Sequence, residues 1–178
     1  NLELVNDQNF TVLFWAQAAD NTVIDPSNLK NVTVSQSLTA NQANYAAFSS
    51  VDFIEKGEQL GNRTISLVRP VSQINLGTTP ESLKSFKTPI TMSESSFTVN
   101  GLSTSFNVAT QEAGSISAEN FTFDSAAVPT YDAADSLSVN GDNYAYAAMN
   151  YVGFAPKAGV NVVVSYEITT SEGKIDNT

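Results

Sequence analysis

The feature that most constrains the fold is a series of short apolar–polar alternations, which turn residues interrupt roughly every 8 to 12 positions. No stretch keeps a helical apolar period over several turns, so a helical core is not expected. Residues 10–17 are the strongest of these segments, and they are apolar on both faces, which predicts a central strand. The pattern as a whole predicts an all-β sandwich.

A second segment, residues 64–78, also has the composition of a strand. Its apolar positions alternate from Ile65, but their phase changes after Val71. A side-chain period of two cannot change phase without a bulge or a kink, and Pro70 has no N–H to give to a ladder. We therefore predict one long bent strand, with Pro70 at an edge or bulge and Gly77 at its end.

A charged, glycine-containing connection over residues 55–62 predicts a domain boundary. We expect a partial N-terminal β domain over residues 1–60 and a complete β-sandwich over residues 61–178. In the second part, residues 144–154 and 160–170 flank a turn and are predicted to form a β-hairpin.

The composition excludes several classes of function. The formal net charge is −10, with 18 acidic residues against 8 scattered basic ones, so nucleic acid is a poor partner. The chain has no cysteine and no histidine, which removes thiolate metal sites, cysteine nucleophiles and the usual general base. We therefore expect neither an enzyme nor a cofactor-binding protein.

The residues between 124 and 146 hold the best candidates for a binding site. Tyr131, Tyr144 and Asp142 could contact a glycan, because tyrosine rings stack on sugars and a carboxylate accepts hydrogen bonds from them. Aromatic residues in strands also serve as core or cross-strand pairs, and that alternative stays open. Oxygen atoms in residues 132–143 could bind calcium, although their spacing matches no EF-hand. A glycosidase would need two of the carboxylates about 5–10 Å apart in a cleft.

Three stretches have distinctive sequence motifs. In chain order they are Phe14–Gln17, Arg69–Thr78 and Ala148–Val152, and the last is followed by a predicted strand over residues 160–169. Together they resemble the fimbrillin-like surface proteins of Bacteroidales, the subunits of strand-exchange (type V) pili. The middle stretch is the most specific of the three.

The resemblance implies transthyretin-like β-sandwiches, here one complete sandwich and part of a second. It also implies export to the cell surface as a lipoprotein, with a lipid anchor outside these residues as the only membrane contact. Residues 1–178 are then expected to be a processed core or a fragment that lacks an N-terminal and a C-terminal strand. The tripeptides at Ser125 and Ser136 resemble the Asp-Ser/Thr-aliphatic O-glycosylation signal of these bacteria, which implies modification of both serines.

The function expected from the resemblance is that of a structural subunit, or of an accessory stalk, anchor or tip protein, in a bacterial fimbria. Its partners would be other fimbrial subunits, joined through β-strand donation, since an added strand gains both main-chain hydrogen bonds and side-chain pockets. The alternative is a surface adhesin that binds host or bacterial glycans without assembling into filaments. We expect Arg69 to be structural and to pair with an acidic residue.

Overall fold

The computed structural model describes residues 4–5, 7–59, 61–79, 91–129, 137–157 and 161–177. These residues form strands throughout, with one short 3-10 turn, η1, at Ala43–Tyr45. The strands are β1 (Phe10–Gln17), β2 (Ile24–Asp25), β3 (Val32–Val34), β4 (Ser37–Thr39), β5 (Ala47–Ile54), β6 (Val71–Thr78), β7 (Met92–Val99), β8 (Ser105–Asn107), β9 (Glu112–Ala113), β10 (Phe121–Ala127), β11 (Leu137–Val139), β12 (Asp142–Phe154), β13 (Val164–Thr170) and β14 (Gly173–Asn177).

The strands are arranged in four sheets. The largest has the order β14-β13-β7-β10-β4, and only its β10–β4 pair is parallel. A second sheet has the order β11-β12-β6, a third β2-β3-β8-β9, and the fourth consists of β1 and β5. The all-β sandwich predicted from the sequence is confirmed. None of the helical structure in the described ranges is long or apolar enough to cross a lipid bilayer.

One apolar core joins these sheets. Its most deeply buried large side chains are Phe121 and Phe154, each with 0% of its surface exposed. The Phe106 and Phe154 rings stack with centroids 5.3 Å apart, and the Phe97 and Phe123 rings meet edge to face at 5.5 Å. Contacts of this kind are favourable beyond the apolar area that they bury.

Strands from both sides of residue 60 contribute to this core. Val32 of β3 pairs with Phe106 of β8, and Leu38 of β4 pairs with Phe123 of β10. All four side chains are buried in the same apolar cluster. The division predicted between residues 1–60 and 61–178 therefore does not coincide with a boundary between sheets or cores.

The prediction of one bent strand over residues 64–78 is wrong in its first half. Residues 61–70 form a single bridge, between Val68 and Ser49, and the ladder begins only at Val71. The irregularities lie in the partner strand β12, whose register shifts between Tyr146 and Ala148 and again between Tyr151 and Phe154. The ladder between β6 and β12 is thus interrupted by bulges in β12, and not by a bulge at Pro70.

The predicted hairpin over 144–170 is also wrong. Strand β12 pairs with β6 and β11, whereas β13 pairs with β7 and β14. The two strands lie in different sheets, and residues 158–160 of the connection between them lie outside the described residues. Thr79 followed by Pro80 predicts a short helix over residues 79–85, which lies almost entirely outside the described residues.

Arg69 contacts aromatic rings and does not pair with an acidic residue among the described residues. Its guanidinium carbon lies 5.1 Å from the centroid of the Tyr151 ring and 5.6 Å from that of Phe48. Its Nη1 donates a hydrogen bond to Oε1 of Gln73 at 2.8 Å. No ion pair in the described part of the chain includes Arg69. Cation–π contacts therefore connect β5 with β12 through this side chain.

Candidate functional site

Three of the residues that the sequence suggested for binding or modification are described, and they lie in two different sheets. Asp142 and Tyr144 share a face of β12 and pair with Val139 and Leu137 of the short strand β11. Ser125 is exposed at a register shift in β10, and its Oγ donates a hydrogen bond to Glu94 at 3.1 Å. Two further candidates, Tyr131 and Ser136, lie outside the described residues.

Within the described ranges, no group of three or more Asp and Glu side chains is placed to hold a metal ion. Part of the segment considered for calcium, residues 132–136, lies outside those ranges.

The feature with the clearest binding chemistry is the outer edge of β1. Among the described residues, β1 pairs with β5 and with no other strand. An edge strand presents a row of N–H and C=O groups that another chain can use to extend the sheet. We call this row the β1 edge.

The bridge on the far side of β5 shows which groups of β1 point outward. Ser49 exchanges both of its backbone hydrogen bonds with Val68, at 2.8 and 2.9 Å. The backbone N–H and C=O of Ser49 therefore point away from β1. Ser49 is in register with Trp15, so Trp15 and Ser49 form a non-hydrogen-bonded pair. Because the direction of the backbone N–H and C=O groups alternates along a strand, those of Trp15 and of every second residue from it in β1 point away from β5. The β1 edge consists of Thr11, Leu13, Trp15 and Gln17.

The two faces of β1 have different surroundings. Leu13 and Trp15 pack against the main core, whereas Phe10 and Ala16 lie on the opposite face. Two cavities, each of about 310 Å³, are found on that opposite face, one near each end of β1. Because β1 rises about 3.4 Å per residue, Phe10 and Ala16 are separated by about 20 Å.

The cavity at the start of β1 is mixed in character. It is lined by Leu4, Val5, Gln8, Phe10, Ile54, Glu55, Glu58 and Gln59. Its Glu58 forms an ion pair with Arg63, which also bonds Asp52 of β5 at 2.6 Å. The hydrogen bond to Asp52 is the main reason that the pKa of the Arg63 guanidinium is raised. Through Arg63, the ion pairs with Asp52 and Glu58 hold the connection after β5 beside the cavity.

The cavity at the end of β1 is apolar. It is lined by Ala16, Gln17, Ala18, Ala43, Asn44, Ala46 and Phe48. The lining residue Asn44 also has an Oδ1 atom that is buried and has no hydrogen-bond partner among the described residues. An apolar side chain of moderate size fits this volume.

Side-chain hydrogen bonds fix the end of the β1 edge. The indole Nε1 of Trp15 donates to Oε1 of Gln17 at 2.7 Å. Nε2 of Gln17 donates in turn to the carbonyl oxygens of Asn21, at 2.9 Å, and Ile24, at 3.2 Å. Asn21 is buried, and its Oδ1 accepts from two backbone N–H groups of the same loop. The edge is therefore ordered before any partner arrives, which lowers the entropic cost of binding.

This arrangement can bind an extended peptide chain. Main-chain hydrogen bonds to the edge would supply affinity, and side chains entering the cavities would supply specificity. The sequence predicted the bounds of β1 correctly but placed it inside a sheet. Apolar residues on both faces show that a strand is covered from above and below, and they do not show that it is paired on both sides.

Comparison with known proteins assigns the chain to a family whose function is unknown. No curated protein and no solved structure matches this chain. Residues 1–178, the whole of the sequence, match the family of unknown function DUF6562, and the protein belongs to that family.

Proposed function

We propose that this protein is a non-catalytic subunit of a bacterial cell-surface filament, either structural or accessory, that takes up a strand of a neighbouring subunit along the β1 edge. The observation that carries the proposal is the open edge itself: an eight-residue strand that is paired on one side only among the described residues. The resemblance of three stretches to fimbrillin-like proteins supports the same function and the location at the cell surface.

The chemistry of the edge also supports the proposal. β1 contains no charged residue, and natural proteins usually place lysine, other charges or proline on edge strands to prevent unwanted pairing. Its residues are mostly half-buried, so an added strand would continue an existing sheet over the core. An edge that is ordered, uncharged and flanked by cavities suits strand addition better than it suits solvent exposure.

Replacing Thr11 by proline is expected to block incorporation into filaments while leaving the subunit folded. The N–H of Thr11 points outward, so proline at this position removes a donor of the β1 edge without removing a β1–β5 hydrogen bond. The Thr11 side chain is exposed, and its loss should cost less than about 1 kcal/mol of unfolding free energy. Electron microscopy and mass spectrometry of surface material from the variant strain measure incorporation.

Val12→Pro is the matched control, because the N–H of Val12 points toward Asp52 and its loss breaks the β1–β5 ladder. We expect Val12→Pro to lower the melting temperature clearly more than Thr11→Pro does. In native filaments, the amides of Leu13 and Trp15 should exchange hydrogen slowly, whereas in the isolated subunit they should exchange fast. Equal exchange rates of these amides in the two states would contradict the proposal.

A glycan-binding adhesin is a second candidate, favoured by one observation. Asp142, Tyr144 and Tyr146 alternate along one face of β12, where Asp142 is exposed and both tyrosine side chains are half-buried. Neither of the two tyrosine hydroxyls has a hydrogen-bond partner among the described residues. If this face binds sugars, Tyr144→Ala should reduce binding on a glycan array at least about tenfold. Wild-type protein that binds no glycan on the array would remove this candidate.

A further inference from the structure

The strand β6 (Val71–Thr78) has a second open edge. It lies at the end of the sheet β11-β12-β6, and among the described residues it pairs with β12 alone. Its side chains are mostly half-buried, as those of β1 are. We call the outer row of backbone groups on this strand the β6 edge.

The distribution of charge singles out these two strands. The chain has 8 basic and 18 acidic residues, which gives 26 charged side chains in all. Apart from β1 and β6, each described strand of five or more residues contains at least one charged residue. These strands are β5 with Asp52, β7 with Glu94, β10 with Asp124, β12 with Asp142, β13 with Glu167 and β14 with Lys174 and Asp176.

β1 and β6 have no charged residue at all. Of the two edge strands of the largest sheet, β14 contains a residue of each charge and β4 is only three residues long; both features are usual protections of sheet edges. The two unprotected edges also match in length, since each strand has eight residues and spans about 27 Å.

We infer that the β1 edge of one copy pairs with the β6 edge of a second copy of this chain. This inference rests on the function proposed above and names the partner strand for the β1 edge. Because the two edges are different surfaces, the contact is heterologous and leaves one open edge at each end of the pair. Repetition of the contact then builds a filament in which no segment has to leave its own subunit.

The net charge of −10 opposes this assembly, since copies of the chain repel one another. The contact itself brings together two uncharged strands and adds no repulsion of its own. Added salt screens the remaining repulsion between the subunits, because the Debye length falls from about 10 Å at 0.1 M to about 3 Å at 1 M. The average oligomer size should therefore rise with ionic strength.

Two lysine substitutions test the inference on the purified full chain. Thr11→Lys blocks the β1 edge and Ser72→Lys blocks the β6 edge, since a lysine on an edge strand disfavours pairing. In sedimentation velocity at high salt, wild-type protein should form a series of oligomers, and each variant alone should remain monomeric. An equimolar mixture of the variants should form dimers and nothing larger, because each partner retains one compatible edge. Unchanged thermal melting of both variants shows that they are folded.

The other outcomes separate the inference from the proposed function. If Ser72→Lys still assembles whereas Thr11→Lys does not, the β1 edge takes up a strand other than β6. The inference is then overturned and the proposed function is not. If Thr11→Lys alone assembles as well as wild type, both are overturned. Wild-type protein that stays monomeric at high salt overturns the inference, and the exchange of the β1 amides in native filaments then decides the proposed function by itself.

Discussion

Replacing Gly153 by alanine is expected to lower the unfolding free energy by about 3 kcal/mol or more. A Cβ atom at this position would lie 2.4 Å from Cζ of Phe121 and 2.6 Å from the carbonyl oxygen of Ser103. Both neighbours are completely buried. Small domains are stable by only about 5–15 kcal/mol, so the change should be obvious in urea unfolding followed by fluorescence or circular dichroism.

Neither neighbour of Gly153 can easily move away. Ser103 and Phe154 exchange two backbone hydrogen bonds of 2.8 and 2.9 Å, which hold the carbonyl of Ser103 beside Gly153. The Phe121 ring is enclosed in the apolar core. Gly153 lies where the register between β12 and β6 shifts, so the bulge brings its backbone onto the core where a side chain would not fit.

Gly61→Ala is the control for this substitution, since a Cβ atom at Gly61 would meet no atom within 4 Å. Its effect should stay within about 0.5 kcal/mol. The double variant Gly153→Ala with Phe121→Leu should be less destabilised than the sum of the two single variants, because the smaller side chain gives room to the new methyl group. If Gly153→Ala unfolds at the same urea concentration as wild type, the close packing at the bulge is not present in solution.

The fold class could be predicted from the sequence because alternation along a strand is a local property. The bounds predicted for Phe10–Gln17 are those of β1. Pairing is not local, and this is where the predictions fail. Strand β13 follows β12 after a turn, yet it pairs with β7, whose Phe97 is 69 positions before Tyr166 in the chain. A turn signal shows that the chain reverses, and it does not show which strand the chain rejoins.

The candidate site illustrates the same limit. The resemblance predicts strand donation. No binding role is predicted for Arg69–Thr78, although this segment is the one that most suggests the family. Its strand β6 instead is, with β1, one of the two described edge strands of five or more residues that carry no charge. The absence of charge in β1 and β6 is visible in the sequence, although it gains meaning only when the sheet order shows that both strands are edges.

The core and the candidate site are connected through the turn after β4. Asn41 is in this turn, and η1 follows it directly with Ala43 and Asn44, which line the apolar cavity at the end of β1. Oδ1 of Asn41 accepts from the N–H of Met149, and its Nδ2 donates to Oγ of Ser95 and to the carbonyl oxygen of Ala126, at 3.0 and 3.1 Å. This single side chain therefore joins the turn to three strands of two sheets.

Replacing Asn41 by alanine is expected to lower the unfolding free energy by about 3 kcal/mol or more. The substitution removes the partners of three polar groups, among them the fully buried hydroxyl of Ser95, and each unsatisfied buried group costs about 1–3 kcal/mol. Asn41 also has a φ of 62°, in the left-handed region where alanine is disfavoured by about 1–2 kcal/mol. Urea unfolding measures the total effect.

A matched control separates these two contributions. Asn140 has a φ of 55° in the turn between β11 and β12, but it is exposed and its side chain makes no hydrogen bond within the described residues. Asn140→Ala should therefore cost only the backbone term of about 1–2 kcal/mol. Asn41→Gly should recover that same term, because glycine adopts a positive φ freely, and the remaining loss measures the hydrogen-bond network. If Asn41→Ala and Asn140→Ala destabilise the protein equally, the network contributes nothing, and the turn does not depend on it to hold the cavity at the end of β1.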